Sequence, residues 1–350
     1  MTSAADHLQF LHRLQTLLDD GDYSSTYKYA LLHALADLSV EKTPDRDGTL
    51  RLDSVDIADK FIAYYWRQAR PFGVANRNGV LFQNSGSQAA IVNQIVGVMD
   101  ASGSYDAFRS DNKLHERIRK SVARTIRVMP LPRLQKLRGN RGRNFLYDLP
   151  NTNGVEWFVR LKPGVAGSFR ELHALILNMI RGAWVQQVQA FAANQLLLGR
   201  DSQLYSFMFG AMRSDLSAYV PILHEHQGGR CFYCDRQMRS RGEVDHFVPW
   251  SRYPTDLAHN FVLAHSSCNG HKSDHLAAAE HLSHWRESNL DAGEELAEVF
   301  TAKRLYHDLD TSRQVAWWAY QSVENAGGLV WKEGGNMEYL RSDWRSVLGA

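Results

Sequence analysis

The sequence predicts a mainly α-helical protein that contains one small α+β module near residues 220–285. Apolar residues recur at three- and four-residue steps through much of the 350-residue chain, which is the period of a helix packed on one side. Two β-rich stretches interrupt this pattern within 144–162. All three cysteines and five of the fifteen histidines are concentrated in residues 231–275, which indicates a metal-supported module there.

The first 215 residues predict a mostly helical N-terminal domain. Helical spacing predicts two amphipathic helices in the first forty residues and further helices at Val55–Arg70, 87–99, from Arg109 onward, and at 168–198. A β-hairpin is expected near 144–162, with Asn153 and Gly154 in its turn, because this dipeptide tolerates the positive φ angles of tight hairpin turns.

The remaining residues predict a compact module at 216–285 and a helical C-terminal extension at 286–350. Ala277–Arg286 and most of Glu294–Asn325 have helical spacing. The expected fold class is therefore mainly α with a small α+β module, preceded by a helical domain and followed by a helical extension.

The composition indicates a soluble cytoplasmic protein. A hydrophobic content of 44% and a charged content of 22% are those of globular domains. No basic segment followed by an apolar run begins the chain, so we expect no signal peptide. The longest uncharged stretch, 182–199, contains five Gln or Asn residues, which argues against a membrane span. An odd number of clustered cysteines argues against a secreted disulfide scaffold and favours a reducing compartment.

Two pairs of potential metal ligands stand about thirty residues apart. Cys231-x-x-Cys234 presents two thiolates in one turn, and His265-x-x-Cys268 repeats this spacing. Two such pairs are typical of a tetrahedral structural zinc site. His271 competes with His265 for the fourth position, because Cys268-x-x-His271 is also well spaced.

The residues between these pairs carry a different chemistry. "EVDHFVP" at 243–249 alternates as a strand does and ends at a proline. Asp245 and Asn269 offer hard oxygen atoms, which suit Mg²⁺ or Mn²⁺ rather than zinc. His246 points to the opposite face of the strand from Asp245 and could take a proton from water. One divalent metal and one general base suffice for attack of water on a phosphodiester.

This stretch resembles the HNH endonucleases of the ββα-metal fold, in the variant that a structural zinc supports. The shared motifs are the Cys231 and Cys234 pair, "DHFVP" at 245–249, "NFVL" at 260–263, and "HSSCNGHK" at 265–272. The second pair of the family normally begins with Cys, and His265 occupies that position here, which favours His265 over His271 as the fourth zinc ligand.

The resemblance also implies a role for each motif residue. His246 would be the general base, while Asp245 and Asn269 would bind the catalytic metal. Asn260 would hold either the loop or the His246 ring in position, and Lys272 would lie near a phosphate.

A basic segment at 109–143 is a candidate nucleic-acid contact. It carries twelve Lys or Arg residues against two acids, whereas an even spread would place about four there. Helical spacing would align four of these side chains on one face, and "RGNRGR" at 138–143 suggests a flexible basic loop. The expected phosphate contacts are Arg117, Lys120, Arg124, Arg127, Arg138, Arg141 and Arg143. The alternative is an exposed, solvated face.

These features together predict a cytoplasmic HNH endonuclease that cuts double-stranded DNA with Mg²⁺ or Mn²⁺, supported by Zn²⁺. The resemblance to HNH proteins implies a role in bacterial defence against phage or foreign DNA, with restriction or mobile-element roles as alternatives. We expect protein partners to bind through the N-terminal domain, and we expect no membrane association. Nicking by a monomer is the simpler expectation, although the oligomeric state stays open. The alternative function is a non-catalytic zinc-containing module that binds nucleic acid or protein.

Overall fold

A computed structural model describes residues 4–19, 24–73, 79–136, 144–148, 157–198, 203–210, 216–239 and 241–349. The chain is divided into two compact units, Met1–Ala211 and Met212–Ala350. Helices predominate in both units and strands are few, so the expected mainly α class is confirmed. Across the described ranges, none of the helices has both the length and the apolar content that a bilayer crossing requires.

The N-terminal unit contains helices joined by short connections and one small sheet. Its described α-helices are α1 (Ala4–Asp19), α2 (Tyr27–Glu41), α3 (Ser54–Gln68), α4 (Ala90–Ser102), α5 (Tyr105–Ser110), α6 (Asn112–Val128), α7 (Val165–Glu171), α8 (His173–Ala190), α9 (Gln195–Leu198) and α10 (Leu204–Phe209).

Helix α2 forms the centre of this unit. All fifteen of its residues are buried, and it packs against α3, α7 and α8. The buried carboxylate of Asp37 is compensated there, because His173 Nε2 donates to it at 2.9 Å and Tyr64 Oη at 2.7 Å. These hydrogen bonds connect α2 to α8 and α3.

The small sheet contains the predicted hairpin strands and one strand that was not predicted. Strands β1 (Leu50–Asp53), β2 (Tyr147–Asp148) and β3 (Phe158–Leu161) are antiparallel in the order β1-β3-β2. The predicted turn residues Asn153 and Gly154 lie outside the described residues. Strand β1 was missed because four residues are too few to show an alternating pattern.

The C-terminal unit begins with the ββα arrangement. Helix α11 (Val220–His226) precedes the antiparallel strands β4 (Glu243–His246) and β5 (Phe261–Ala264), which lead into α12 (Ser266–Lys272). The remaining elements are α13 (Ala279–Trp285), which continues into a π-helical turn at Arg286–Asp291, then α14 (Gly293–Ala302), α15 (Leu309–Asn325), β6 (Leu329–Glu333), β7 (Asn336–Tyr339) and α16 (Trp344–Leu348).

The C-terminal extension at 286–350 contains helices, but it also contains an antiparallel hairpin of β6 and β7 that was not predicted. Backbone hydrogen bonds join this hairpin to the segment after α12: Trp331 N donates to Leu276 O, and Ala278 N donates to Trp331 O, both at 2.7 Å. The indole of Trp331 also meets the Tyr233 ring edge-on, with centroids 5.2 Å apart. The extension therefore packs directly on the module.

Candidate metal centre and candidate active site

The structure brings the two predicted ligand pairs together. One ligand atom from each of Cys231, Cys234, His265 and Cys268 lies within 4.8 Å of all the others. Two sulfur atoms that each bind one tetrahedral zinc ion at 2.3 Å stand about 3.8 Å apart, so this spacing fits a single ion. His271 is not a member of the group.

Local backbone geometry explains how each pair is presented. The first pair lies in a tight turn, where Asp235 N donates to Cys231 O at 2.9 Å and Asp235 has a φ of 53°. The second pair stands where β5 ends and α12 begins: His265 precedes the helix and Cys268 lies in its first turn. His265 N donates to Cys231 Sγ at 3.3 Å, which links the two pairs.

The thiols differ in their ease of ionisation. Burial opposes ionisation of Cys231, but hydrogen bonds from the backbone of His265, Cys234 and Tyr233 outweigh it and lower its pKa. Burial and the charge of Cys231 raise the pKa of Cys268 to about 12. A divalent metal bound between these sulfur atoms would supply the positive charge that favours their ionisation.

Asp245 lies in a buried polar cluster on the face of β4 that α12 covers. Its Oδ2 accepts a hydrogen bond from Tyr233 Oη at 2.5 Å and faces Lys272 Nζ at 3.0 Å. Burial raises the pKa of Tyr233 well above its usual range, so this hydroxyl remains a donor. Both donors approach the same oxygen, and the described residues offer Oδ1 no hydrogen bond.

Lys272 does not occupy the position expected of a phosphate contact. Its side chain is 0% exposed, and Nζ also donates to His246 O at 3.0 Å. Burial lowers the pKa of Lys272, and the neighbouring Asp245 carboxylate opposes that effect. Lys272 is thus an internal counter-ion that joins α12 to the end of β4, which corrects the sequence expectation.

His246 ends β4 and faces away from this cluster. Its Nε2 lies 2.8 Å from Asp256 Oδ1, and its ring packs edge-on against Phe261 and Trp250. Asp256 is a further candidate residue of the site that the sequence did not reveal. It lies in the connection between β4 and β5. The sequence does not fix the path of this connection, so spacing along the chain could not pair Asp256 with His246.

The two predicted asparagines, Asn269 and Asn260, form different contacts. Asn269 on α12 donates from Nδ2 to Glu243 Oε2 at 3.0 Å. Asn260 is buried, and its side chain bonds to both backbone groups of Val248, at 2.7 Å to N and 2.9 Å to O. Of the two roles offered for Asn260, the contacts match the one that holds the loop after His246.

The predicted basic helix exists as α6, with Ile118, Val122 and Ile126 buried on one side. Arg117, Lys120 and Arg124 are exposed on the other, although Lys120 pairs with Glu116 at 3.0 Å. Arg127 is half-buried and lies over the Trp157 ring at 5.1 Å. Arg138, Arg141 and Arg143 lie outside the described residues.

Two family models match separate parts of the chain. Residues 7–207, more than half of the chain, match a domain of unknown function (DUF8808). The chain belongs to the DUF8808 family. Residues 231–278 match the HNH endonuclease model, so the resemblance drawn from their motifs is confirmed and the C-terminal unit carries an HNH domain. No curated protein and no solved structure matches the chain.

Proposed function

We propose that this DUF8808 protein is a metal-dependent endonuclease that hydrolyses phosphodiester bonds in DNA. The observation that carries the proposal is the His246–Asp256 pair, which stands at the end of β4 directly after Asp245, within the residues that match the HNH endonuclease model. A module that only binds nucleic acid or protein does not require His246 to be oriented by the Asp256 carboxylate. Nor does it require the carboxylate of Asp245, which Tyr233 and Lys272 compensate, to stand next to His246.

His246 acts as the general base. The Asp256 carboxylate accepts a hydrogen bond from Nε2–H, so the lone pair of the imidazole lies on Nδ1. Nδ1 takes a proton from the attacking water as its oxygen bonds to phosphorus and the bond from phosphorus to the 3′ oxygen breaks, and the carboxylate of Asp256 stabilises the imidazolium that forms.

Asp245 and Asn269 have the donor atoms that a catalytic Mg²⁺ or Mn²⁺ requires. Tyr233 and Lys272 both contact Oδ2 of Asp245, so its Oδ1 is available to a metal ion. Glu243 accepts a hydrogen bond from the amide nitrogen of Asn269, so the amide oxygen is available too. When bound, the ion supplies positive charge at the scissile phosphate. The ammonium of Lys272 neutralises part of the charge of Asp245, so we expect the metal to bind weakly.

The Cys231, Cys234, His265 and Cys268 group holds a structural zinc. All four positions of a tetrahedral ion are filled by protein atoms, so this site has no open position for substrate or water. These four residues come from the turn before β4 and from the junction of β5 with α12, so a zinc bound there would hold the β4–β5 pair against the helix.

The test is cleavage of supercoiled plasmid by the full chain with Mg²⁺ or Mn²⁺. His246→Ala should lower the rate by about 10²–10⁴-fold, the usual loss of a general base. His275→Ala is the matched control, because His275 is exposed on the same module and outside the site. A His246→Ala rate within a few-fold of the parent would contradict the role of His246.

The alternative is a zinc-containing module that binds nucleic acid or protein without catalysis. A parent protein that binds plasmid, contains zinc and leaves the DNA intact with either metal would favour it. The exposed residues of α6 are proposed as a second contact with phosphates, since Arg117 and Arg124 have no described carboxylate partner.

Defence against phage or foreign DNA is the proposed biological role, by analogy with other HNH proteins. It predicts that cells which express the parent form fewer phage plaques than cells that express His246→Ala.

A further inference from the structure

The turn that carries Cys231 and Cys234 is rich in arginine. Residues 230–241 contain four arginines. Arg230 pairs with Asp235 at 3.5 Å, whereas Arg239 and Arg241 are exposed and form no ion pair with any described carboxylate. Arg241 is oriented by its own contact, because Nη2 donates to Ser217 O at 3.4 Å. Two guanidinium groups are thus presented to solvent.

These two arginines border an open cleft of about 470 Å³ between the turn and the start of α11. Ligand sites in proteins commonly have volumes of about 300–1,000 Å³. The lining of the cleft combines apolar residues with arginine and histidine, and none of its lining residues is acidic. The lining residues are Val220, Pro221, His224, Met238, Arg239 and Arg241.

The turn that forms one side of the cleft is held in place by several contacts. The turn is closed by Met238 N, which donates to Gly229 O at 2.9 Å, and by the thiol and imidazole ligands of the metal centre. Gly242 then directs the chain into β4 with a φ of 71°. A Cβ at Gly242 would lie 3.0 Å from Met238 Sδ and 3.1 Å from Leu263 Cγ, so only glycine fits there without displacement.

The cleft lies close to the candidate active site along the chain. Arg241 precedes Asp245 by four residues, so their Cα atoms are separated by at most about 14 Å. One strand of DNA rises about 3.4 Å per nucleotide. A strand bound at both places would therefore span at most about four nucleotides between them.

We propose that this cleft binds the DNA strand that is cut, within about four nucleotides of the scissile phosphate. Arg239 and Arg241 contact backbone phosphates, and Met238 with Val220 and Pro221 receives the sugar or base. Guanidinium groups favour phosphate oxygens, and an apolar floor without acids suits a nucleotide better than a cationic ligand. The proposal rests on the proposed function, because it places the cleft on the path of that enzyme's substrate.

The test compares two double variants of the full chain that lose the same charge. Arg239→Gln/Arg241→Gln removes both cleft arginines. Arg236→Gln/Arg313→Gln is the control, since both residues are exposed, outside the cleft and without a described ion pair. Binding of a fluorescent DNA duplex is measured by anisotropy from 50 to 200 mM salt, with His246→Ala present in every protein so that the DNA stays intact.

Loss of two phosphate contacts should reduce the slope of log K against log salt by about 1.8, and the control should keep the parent slope. The parent should then lose about 12-fold more affinity across this salt range than the cleft variant. With His246 restored, the cleft variant should show a raised KM and a kcat near that of the parent, because the catalytic groups are untouched.

The outcomes separate this proposal from the proposed function. A cleft variant with the parent slope and KM, in a protein that cleaves DNA, overturns the cleft proposal and leaves the nuclease intact. A parent that does not cleave DNA, together with a reduced slope in the cleft variant, supports the cleft and overturns the nuclease. Slopes reduced equally in both double variants would mean that net charge alone acts, and would also overturn the cleft.

Discussion

Replacement of Lys272 by methionine distinguishes an internal counter-ion from a phosphate contact. Methionine keeps most of the buried aliphatic stem but removes the ammonium that faces Asp245 and donates to His246 O. The carboxylate would keep only the hydroxyl of Tyr233, and the carbonyl of His246 would lose its donor. Removal of one partner from a buried ion pair costs about 3–5 kcal/mol of the free energy of unfolding.

This loss should be visible as a shift in the urea midpoint. With an m-value of about 2 kcal/mol/M, the unfolding transition of the C-terminal unit should move down by about 2 M, as followed by tryptophan fluorescence. Addition of Asp245→Asn should recover part of the loss, because no uncompensated charge then remains buried.

Lys332→Met is the matched control for this change. Lys332 Nζ lies 3.0 Å from Glu338 Oε2, the same separation as in the buried pair, but both partners are accessible to water. Its loss should barely move the midpoint. If Lys272→Met were as stable as Lys332→Met but bound DNA less tightly, Lys272 would be a phosphate contact and the counter-ion role would be refuted.

Three further predictions concern other parts of the C-terminal unit. Asp256→Asn should lower kcat for plasmid cleavage by about 10²-fold at unchanged KM, since it only orients and stabilises His246; an unchanged kcat would refute this. Cys268→Ser should abolish zinc binding and folding, measured by elemental analysis and circular dichroism, whereas His271→Ala should retain both. Burial lowers the pKa of His259, whose Nε2 lies 2.9 Å from Gly293 O, so the free energy of unfolding should fall as pH drops below about 6.5. His259→Gln should reduce this dependence on pH, as measured by urea titrations from about pH 7.5 to 5. An unchanged dependence in the variant would contradict the prediction.

The sign of the pH effect follows from the pKa shift itself. The pKa of His259 is lower in the folded protein than in the unfolded chain, so the unfolded state binds the proton first as pH falls. Its contribution is complete above about pH 6.5 and declines below it by at most about 1.4 kcal/mol per pH unit.

The Cys231, Cys234, His265 and Cys268 group and the HNH motifs could be predicted from the sequence because their geometry is local. Two ligands three residues apart are presented by one turn, and alternation along "EVDH" places Asp245 and His246 on opposite faces of a strand. The helical periods of α3 and α6 were equally informative, since each depends on the residues of one helix.

The tertiary structure alone decided which distant groups meet. Asp256 reaches His246, Tyr233 reaches Asp245, and the hairpin β6–β7 bonds to residues 276–278 across about fifty positions. The polar sequence around Lys272 predicted an exposed cation, but its side chain is buried and pairs with the carboxylate of Asp245. Spacing along the chain determines which residues share a face, but the direction that this face points is determined by what packs against it.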